Sequence, residues 1–184
     1  MAKQLGFRLH LGRCVQCAAC EVACKATNSV ETGVKWRNVA AHWEETPARV
    51  INIALSQSCL HCAKPACVGI CPAGAITKRA EDGIVTVDAA KCIGCRVCEK
   101  ACPYKIPKFG KNGKMQKCNL CVDRLAKNKQ PVCATICPGE AIEVGDIQQW
   151  VSDRKLNGRT QPSAVLVKSF ADTNVDKYIK VFLS

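Results

Sequence analysis

Sixteen cysteines stand in this 184-residue chain, and they fall into four runs of four. The first, Cys14, Cys17, Cys20 and Cys24, and the third, Cys92, Cys95, Cys98 and Cys102, both read C-x2-C-x2-C-x3-C. The second, Cys59, Cys62, Cys67 and Cys71, widens the middle gap to four residues, and the fourth, Cys118, Cys121, Cys133 and Cys137, widens it to eleven. Three of the four runs close on C-x3-C-P, with Pro72, Pro103 and Pro138. Thiolates repeated this closely are soft ligands for iron or zinc. A disulfide framework is disfavoured, because cysteines three apart in a tight loop rarely reach disulfide geometry with one another. Zinc knuckles pair two C-x2-C hooks and have no use for a third cysteine at the same spacing. No run continues as the C-x3-C-x2-C of radical enzymes that use S-adenosylmethionine. Thr27, Gly74, Lys105 and Glu140 occupy the position where that further cysteine would fall.

The spacing resembles the bacterial ferredoxin run, in which three close thiolates hold one [4Fe–4S] cubane and the last cysteine ligates the other cluster of a pair. An internal repeat strengthens the likeness: Cys67-Val-Gly-Ile-Cys71-Pro-Ala-Gly-Ala-Ile76 lies beside Cys133-Ala-Thr-Ile-Cys137-Pro-Gly-Glu-Ala-Ile142. The expected fold is α+β: two ferredoxin-like 2[4Fe–4S] units, short strands and helices around the clusters, one unit inserted in the other. Runs two and three are adjacent, so the crossover rule gives one cluster Cys59, Cys62, Cys67 and Cys102, and its mate Cys92, Cys95, Cys98 and Cys71. Runs one and four are left to pair, as Cys14, Cys17, Cys20 and Cys137, and as Cys118, Cys121, Cys133 and Cys24. Lys25 stands where the other runs have proline, the weakest point of the repeat. The expected units are 1–50 with 108–147, then 51–107 as the insert, and a partner-contacting tail over 148–184.

The elements that must position these runs are short. Gly83 to Asp88 reads as a strand opened by an Asp-Gly turn, and Ile76-Thr77 and Ile142 to Val144 as β-branched stretches after the repeats. A short amphipathic helix is expected from Asp146 through Leu156, with extended segments at Ala164–Phe170 and Tyr178–Leu183. These could lie along another subunit or pack on the ferredoxin units. Residues 1–13 show no apolar signal region or twin arginine, and no run approaches eighteen consecutive apolar residues, so no direct membrane span is expected.

Several motifs together make the resemblance specific: Gly6-Phe7; Cys59-Leu-His-Cys62 with Pro65 and Cys67; Lys91-Cys92-Ile-Gly-Cys95-Arg96; Ala101-Cys102-Pro103-Tyr104; and Lys117-Cys118-Asn-Leu-Cys121-Val-Asp-Arg124 with Pro131 and Cys133. Over most of its length the chain resembles the four-cluster iron–sulfur, electron-transfer subunit of the dimethyl sulfoxide, polysulfide and thiosulfate reductase group of molybdopterin oxidoreductases. That resemblance implies four [4Fe–4S] clusters, since all sixteen positions are cysteine. It implies a large molybdopterin subunit carrying molybdenum or tungsten as partner, and as second partner a membrane anchor, a quinol-oxidising subunit or a cytochrome. It also implies a roughly linear row of clusters, with the run-one cluster near the molybdenum partner and the run-four cluster at the opposite end. The alternative is a similar subunit of a hydrogenase or formate dehydrogenase complex; the eleven-residue gap and Asp123-Arg124 favour the first. The family works on either side of the bacterial inner membrane, so the compartment stays open: cytoplasmic, or exported folded with a catalytic partner.

No phosphate loop or nucleophile signature accompanies the three histidines, His10, His42 and His61, so substrate chemistry is expected on a partner and not on this chain. His61, inside the second run, reads first as a solvated loop residue and second as a hydrogen-bond donor to a cluster sulfur or a partner contact. The formal charge of +12 would suit nucleic acid, but four clusters at about −2 each leave roughly +4. Aromatic residues are too few for a stacking platform, and no nucleic-acid partner is expected. Lys105, Lys108, Lys111, Lys114 and Lys117 recur every third residue past Pro107, Gly110 and Gly113. An extended three-per-turn stretch would line them up as a docking edge, against the plainer reading of a loop that balances cluster charge.

Overall fold

The computed structural model describes residues 3–47, 49–150 and 165–168. The elements are small, as a chain built around repeated thiol loops requires. Strand β1 (Leu5–His10) is followed by a 3-10 turn (Leu11–Arg13), α1 (Ala19–Thr27) and a hairpin of β2 (Asn38–Thr46) and β3 (Arg49–Gln57). Next come α2 (Ala66–Gly69), β4 (Ile76–Lys78), β5 (Val85–Val87) and α3 (Val97–Ala101). The short pair β6 (Lys108–Phe109) and β7 (Met115–Gln116) precedes α4 (Val122–Leu125), α5 (Val132–Thr135), β8 (Ile142–Asp146) and β9 (Val165–Lys168).

The mixture is α+β, and the repeated sequence folds into repeated structure. Pro65 precedes α2 as Pro131 precedes α5, each with its ring fixing φ just before the first turn. The Val68 amide donates to Pro65 O at 3.1 Å, and the Ala134 amide donates to Pro131 O at 3.0 Å. Gly74 N–H donates to Cys71 O as Glu140 N–H donates to Cys137 O. Ala75-Ile76 and Ala141-Ile142 are buried alike, and each leads into a strand.

The partner strands match as well. β4 pairs antiparallel with β5, which runs on toward Cys92; β8 pairs antiparallel with β1, which runs on toward Cys14. The Asp88 amide donates to Ala75 O at 2.8 Å, and the His10 amide donates to Ala141 O at the same distance. One ladder joins consecutive strands; the other closes between strands from opposite ends of the cysteine-bearing region.

Proline explains the one element that breaks the pattern. The residue before a proline is pushed out of the helical region, so α2, α3 and α5 stop after four or five residues. Lys25 imposes no such stop, and α1 continues through Cys24 to Thr27. The Lys25 ammonium then reaches the carbonyls of Glu31 at 2.6 Å and Val34 at 2.7 Å, tying down the chain that leaves the helix.

Two cores form, and cysteines belong to both. One gathers Phe7, Leu9, Leu55, Ile84, Leu120 and Ile142 around Cys20, Cys59, Cys118 and Cys133; the other gathers Ala75, Ile76, Val85 and Met115 around Cys92 and Cys98. Gln4 joins the units, donating to His61 O at 2.9 Å and Gly83 O at 3.3 Å while accepting from Lys78 Nζ at 2.7 Å. Gly83, at φ +71°, is needed there: a Cβ would lie 2.5 Å from the Gln4 side chain.

Two further elements bear on the expected boundaries and tail. The β2–β3 ladder pairs Asn38 through Thr46 with Arg49 through Gln57 and runs straight across residue 50, the expected unit boundary. In the C-terminal region, residues 147–150 form a helical turn and Val165–Lys168 adds to the chain's own sheet as β9, parallel to β1. The remaining parts of the expected helix through Leu156, the tail over 148–184 and the extended segment at Tyr178–Leu183 lie outside the described residues.

Candidate iron–sulfur centres

Each run is shaped by a backbone reversal just before its second cysteine. Gln16, His61, Gly94 and Leu120 hold this position with φ of 58°, 45°, 72° and 57°. Only one is glycine, and the left-handed conformation costs the others about 1–2 kcal/mol each. Gly94 is required on two counts, since a Cβ there would also meet Gly113 O at 2.6 Å. After the closing cysteine the chain reverses again at Gly74, Lys105 and Glu140, three residues on.

These reversals turn amides toward sulfur, as an anion-binding nest does. Leu120 N–H donates to Cys118 Sγ at 3.4 Å, Met115 N–H to Cys92 Sγ at 3.4 Å and Ala141 N–H to Cys137 Sγ at 3.2 Å. All sixteen thiols are free of disulfides.

The thiols meet in four neighbourhoods. Burial pushes the Cys14 thiol above its ordinary range, and the facing sulfurs of Cys20, Cys137 and Cys17 push it the same way. Burial drives Cys24 up to about 11, with Cys133, Cys121 and Cys20 adding to the effect and the Arg37 charge opposing it. Cys67 is likewise pushed up to about 11 by burial, then by Cys59, Cys102 and Cys62, against Lys117. Burial raises Cys98 too, and Cys95, Cys92 and Cys71 face it. Across runs, Cys137 thus acts on Cys14, Cys133 and Cys121 act on Cys24, Cys102 acts on Cys67 and Cys71 acts on Cys98.

Neighbourhoods also touch in sequence. Cys118, pushed up to about 12 by burial, feels Cys59 of the second run as well as Cys133 of its own. Cys133, raised chiefly by burial, feels Cys20 of the first run. Cys17 and Cys95 are exposed, whereas Cys20, Cys24, Cys59, Cys92, Cys98, Cys118, Cys121 and Cys133 are buried.

This donor set fits four-iron cubanes. Among the described residues no three His, Cys, Asp or Glu side chains converge tightly enough for a single metal ion. A cubane instead spreads its four thiolates over four corners. Thiols held neutral by burial must give up their protons to bind iron, so loading releases protons and stabilises the fold together.

His61 differs from its first reading. It is fully buried rather than solvated. Its Nδ1 accepts from the Val85 amide at 3.0 Å, and its Nε2 is buried with no partner among the described residues. Burial first, then the Lys117 and Arg37 charges, hold it well below the usual histidine range, so it is neutral with its proton on Nε2. The lysine series is no single edge either. Lys117 is buried, Lys114 donates to Cys92 O and Lys108 donates to Lys105 O. Composition had no signal for Arg37, a buried arginine far from any cysteine run in sequence.

Left-handed thiol loops, amide-to-sulfur bonds and crossed neighbourhoods define a ferredoxin-type iron–sulfur protein, and residues 50–147 match the family model described as "4Fe-4S dicluster domain". The chain is 41% identical over 185 residues to the B subunit of the anaerobic dimethyl sulfoxide reductase of Escherichia coli, covering 95% of this chain and 88% of that one. It is 38% identical over 153 residues to the thiosulfate reductase electron transfer subunit PhsB of Salmonella typhi, covering 78% and 79%. To the B subunit of the polysulfide reductase of Wolinella succinogenes it is 37% identical over 154 residues, covering 80% and 78%. The chain belongs to the iron–sulfur, electron-transfer subunits of the dimethyl sulfoxide, thiosulfate and polysulfide reductase group. Its sixteen cysteines supply four [4Fe–4S] clusters, and these relatives favour that group over the hydrogenase or formate dehydrogenase alternative.

Proposed function

We propose that the chain carries electrons between a large molybdopterin subunit, with molybdenum or tungsten, and a second redox partner, through four crossed ligand sets. The sets are Cys14, Cys17, Cys20 and Cys137; Cys118, Cys121, Cys133 and Cys24; Cys59, Cys62, Cys67 and Cys102; and Cys92, Cys95, Cys98 and Cys71. The observation that carries this reading is that every thiol neighbourhood draws one closing cysteine from a different run. The nested arrangement is supported by the matched bonds from His10 to Ala141 and from Asp88 to Ala75. The inserted unit is best taken to begin after Gln57, which keeps the β2–β3 ladder whole.

The clusters, when bound, supply one-electron transfer; the chain orders them. Cys20 faces Cys133, and Cys118 faces Cys59, which favours the order run one, run four, run two, run three. This puts the run-three set, not the run-four set, opposite the first. Exposed apolar side chains stand beside the cysteines of both end sets in sequence: Val15, Val22 and Ile136 in the runs that supply the first set, with exposed Cys17, and Ile70, Ile93 and Val97 in those that supply the last, with exposed Cys95; Trp43 and Val50 on the β2–β3 hairpin are exposed as well. We assign the first face to the molybdopterin subunit and the second to the other partner, a membrane anchor, a quinol-oxidising subunit or a cytochrome. No helix among the described residues is long and apolar enough to cross a membrane.

Anaerobic purification with the native complex tests this. The expected result is about sixteen irons per chain and a co-purifying large chain with molybdenum or tungsten. A nickel-bearing partner, or far less iron, overturns it.

A further inference from the structure

Two cations are buried where the inner thiol sets meet. Arg37 is 2% exposed and Lys117 is 5% exposed. Arg37 donates through one guanidinium nitrogen to Ser56 O at 3.0 Å and Ser56 Oγ at 2.9 Å, and through the other to Ser58 Oγ at 2.9 Å. It lies over the Phe7 ring, 4.4 Å from the centroid. Lys117 donates to Val85 O and to Cys118 O, the latter at 3.1 Å. Among the described residues neither has a carboxylate partner.

A buried charge with only neutral acceptors is expensive, and it persists where an opposite charge offsets it. The groups on hand are thiols. Ser56 Oγ, which holds Arg37, also sits 3.3 Å from Cys20 Sγ, and Phe7 shares its core with Cys20, Cys59, Cys118 and Cys133. Lys117 holds Val85 O, and the Val85 amide donates to His61 between Cys59 and Cys62 of the second run. The Arg37 charge acts on Cys133, Cys118, Cys20 and Cys24, three of them in the run-four set, and Lys117 acts on Cys67 of the run-two set. Exposed cations near the outer sets are screened by water, but these two are not.

We propose that Arg37 and Lys117 are fixed charges that raise the reduction potentials of the two inner clusters, Arg37 that of the run-four set and Lys117 that of the run-two set. The inference rests on the ligand sets proposed above. With a cluster held by an inner set, an electron passed from the adjacent cluster would add one negative charge beside the cation, with no proton or atom moved. The cation favours the reduced state. Two positive charges at the seam between the units therefore hold electrons at the step that joins one ferredoxin pair to the other.

The test is an anaerobic redox titration, followed by electron paramagnetic resonance, of the purified complex with Arg37→Gln, Arg37→Lys or Lys117→Met. Cys121→Ser and Cys62→Ser mark which signals belong to which set. The expected result is a lowered midpoint for the run-four signal in Arg37→Gln, none in Arg37→Lys, and a lowered run-two signal in Lys117→Met, with iron content unchanged. Unshifted midpoints in Arg37→Gln and Lys117→Met, or an equal fall in Arg37→Lys, overturn the proposal. If Arg37→Gln fails to load iron, Ser58→Asp leaves Arg37 in place and gives it a carboxylate; the same midpoint must fall, and an unchanged one is a refutation. Wrong ligand sets would appear separately, as serine variants that disturb signals from other runs.

Discussion

His61 accepts a hydrogen bond from the Val85 amide through Nδ1 at 3.0 Å, which leaves its only proton on a buried Nε2 with no protein acceptor among the described residues. A sulfur of a cluster held by Cys59 and Cys62, on either side of His61, would be an acceptor, and N–H donation to sulfur raises a cluster's potential. His61→Leu should lower the midpoint of the run-two signal. It also orphans the Val85 amide, at a cost of about 1–3 kcal/mol. Redox titration and anaerobic denaturation read the two effects; a midpoint that does not move would make His61 a structural pin only.

The crossing of ligands is testable one residue at a time. Cys71→Ser should damage the cluster of Cys92, Cys95 and Cys98, and Cys137→Ser the cluster of Cys14, Cys17 and Cys20. Spectra showing damage confined to the cluster of each residue's own run would disprove the wiring.

The two exposed apolar faces should separate partners. Val15→Asp with Val22→Asp should weaken attachment of the large subunit by tenfold or more, about 1.4 kcal/mol, and leave the other contact intact. Ile93→Asp with Val97→Asp should do the reverse. Pull-down of the assembled complex reads both; a variant pair that detaches the same partner would refute the assignment of ends.

Replacing Lys25 by proline should end α1 early and remove both bonds from Lys25 to Glu31 O and Val34 O. The expected loss is about 3 kcal/mol, seen as faster release of the clusters held by Cys14 and Cys24 in an anaerobic chelator assay. Unchanged release would show that the long α1 contributes nothing to holding them.

Glu143 has its carboxyl held below the usual range: burial pushes it up, but hydrogen bonds from Arg8 and His10 outweigh that. A depressed folded value means stability present above the unfolded pKa of about 4.3 and lost as pH falls through the folded one. The pair is partly exposed, so Glu143→Gln should cost no more than about 1 kcal/mol at pH 7. That difference should shrink in denaturation curves as pH falls below about 4.3 and vanish once pH is below the depressed folded value.

What could be read from the residues in order was the local part. Cysteine spacing dictates which three thiols share a loop, and the doubled Cys67 and Cys133 stretches announce a repeated unit, because both depend on a few neighbouring residues. Pro72, Pro103 and Pro138 end helices by a clash with the residue before them; Lys25 in that position was legible as a break in the repeat, but the longer α1 it allows was found only in the structure. The left-handed turns at Gln16, His61 and Leu120 had no signal in residue type; the ligand loop forces them.

Long-range placement was decided only in three dimensions. The pairing of Leu5–His10 with Ile142–Asp146 brings the first and fourth runs together, and no local preference encodes a ladder between strands so far apart in sequence. The same holds for His61, Arg37 and Lys117. His61 and Lys117 read as solvated loop residues, and Arg37 carried no signal at all. Burial changes this, because a charge removed from water needs an opposite charge to offset it, and the serines and carbonyls that hold these side chains are neutral. The thiols beside them belong to runs that only the fold makes neighbours.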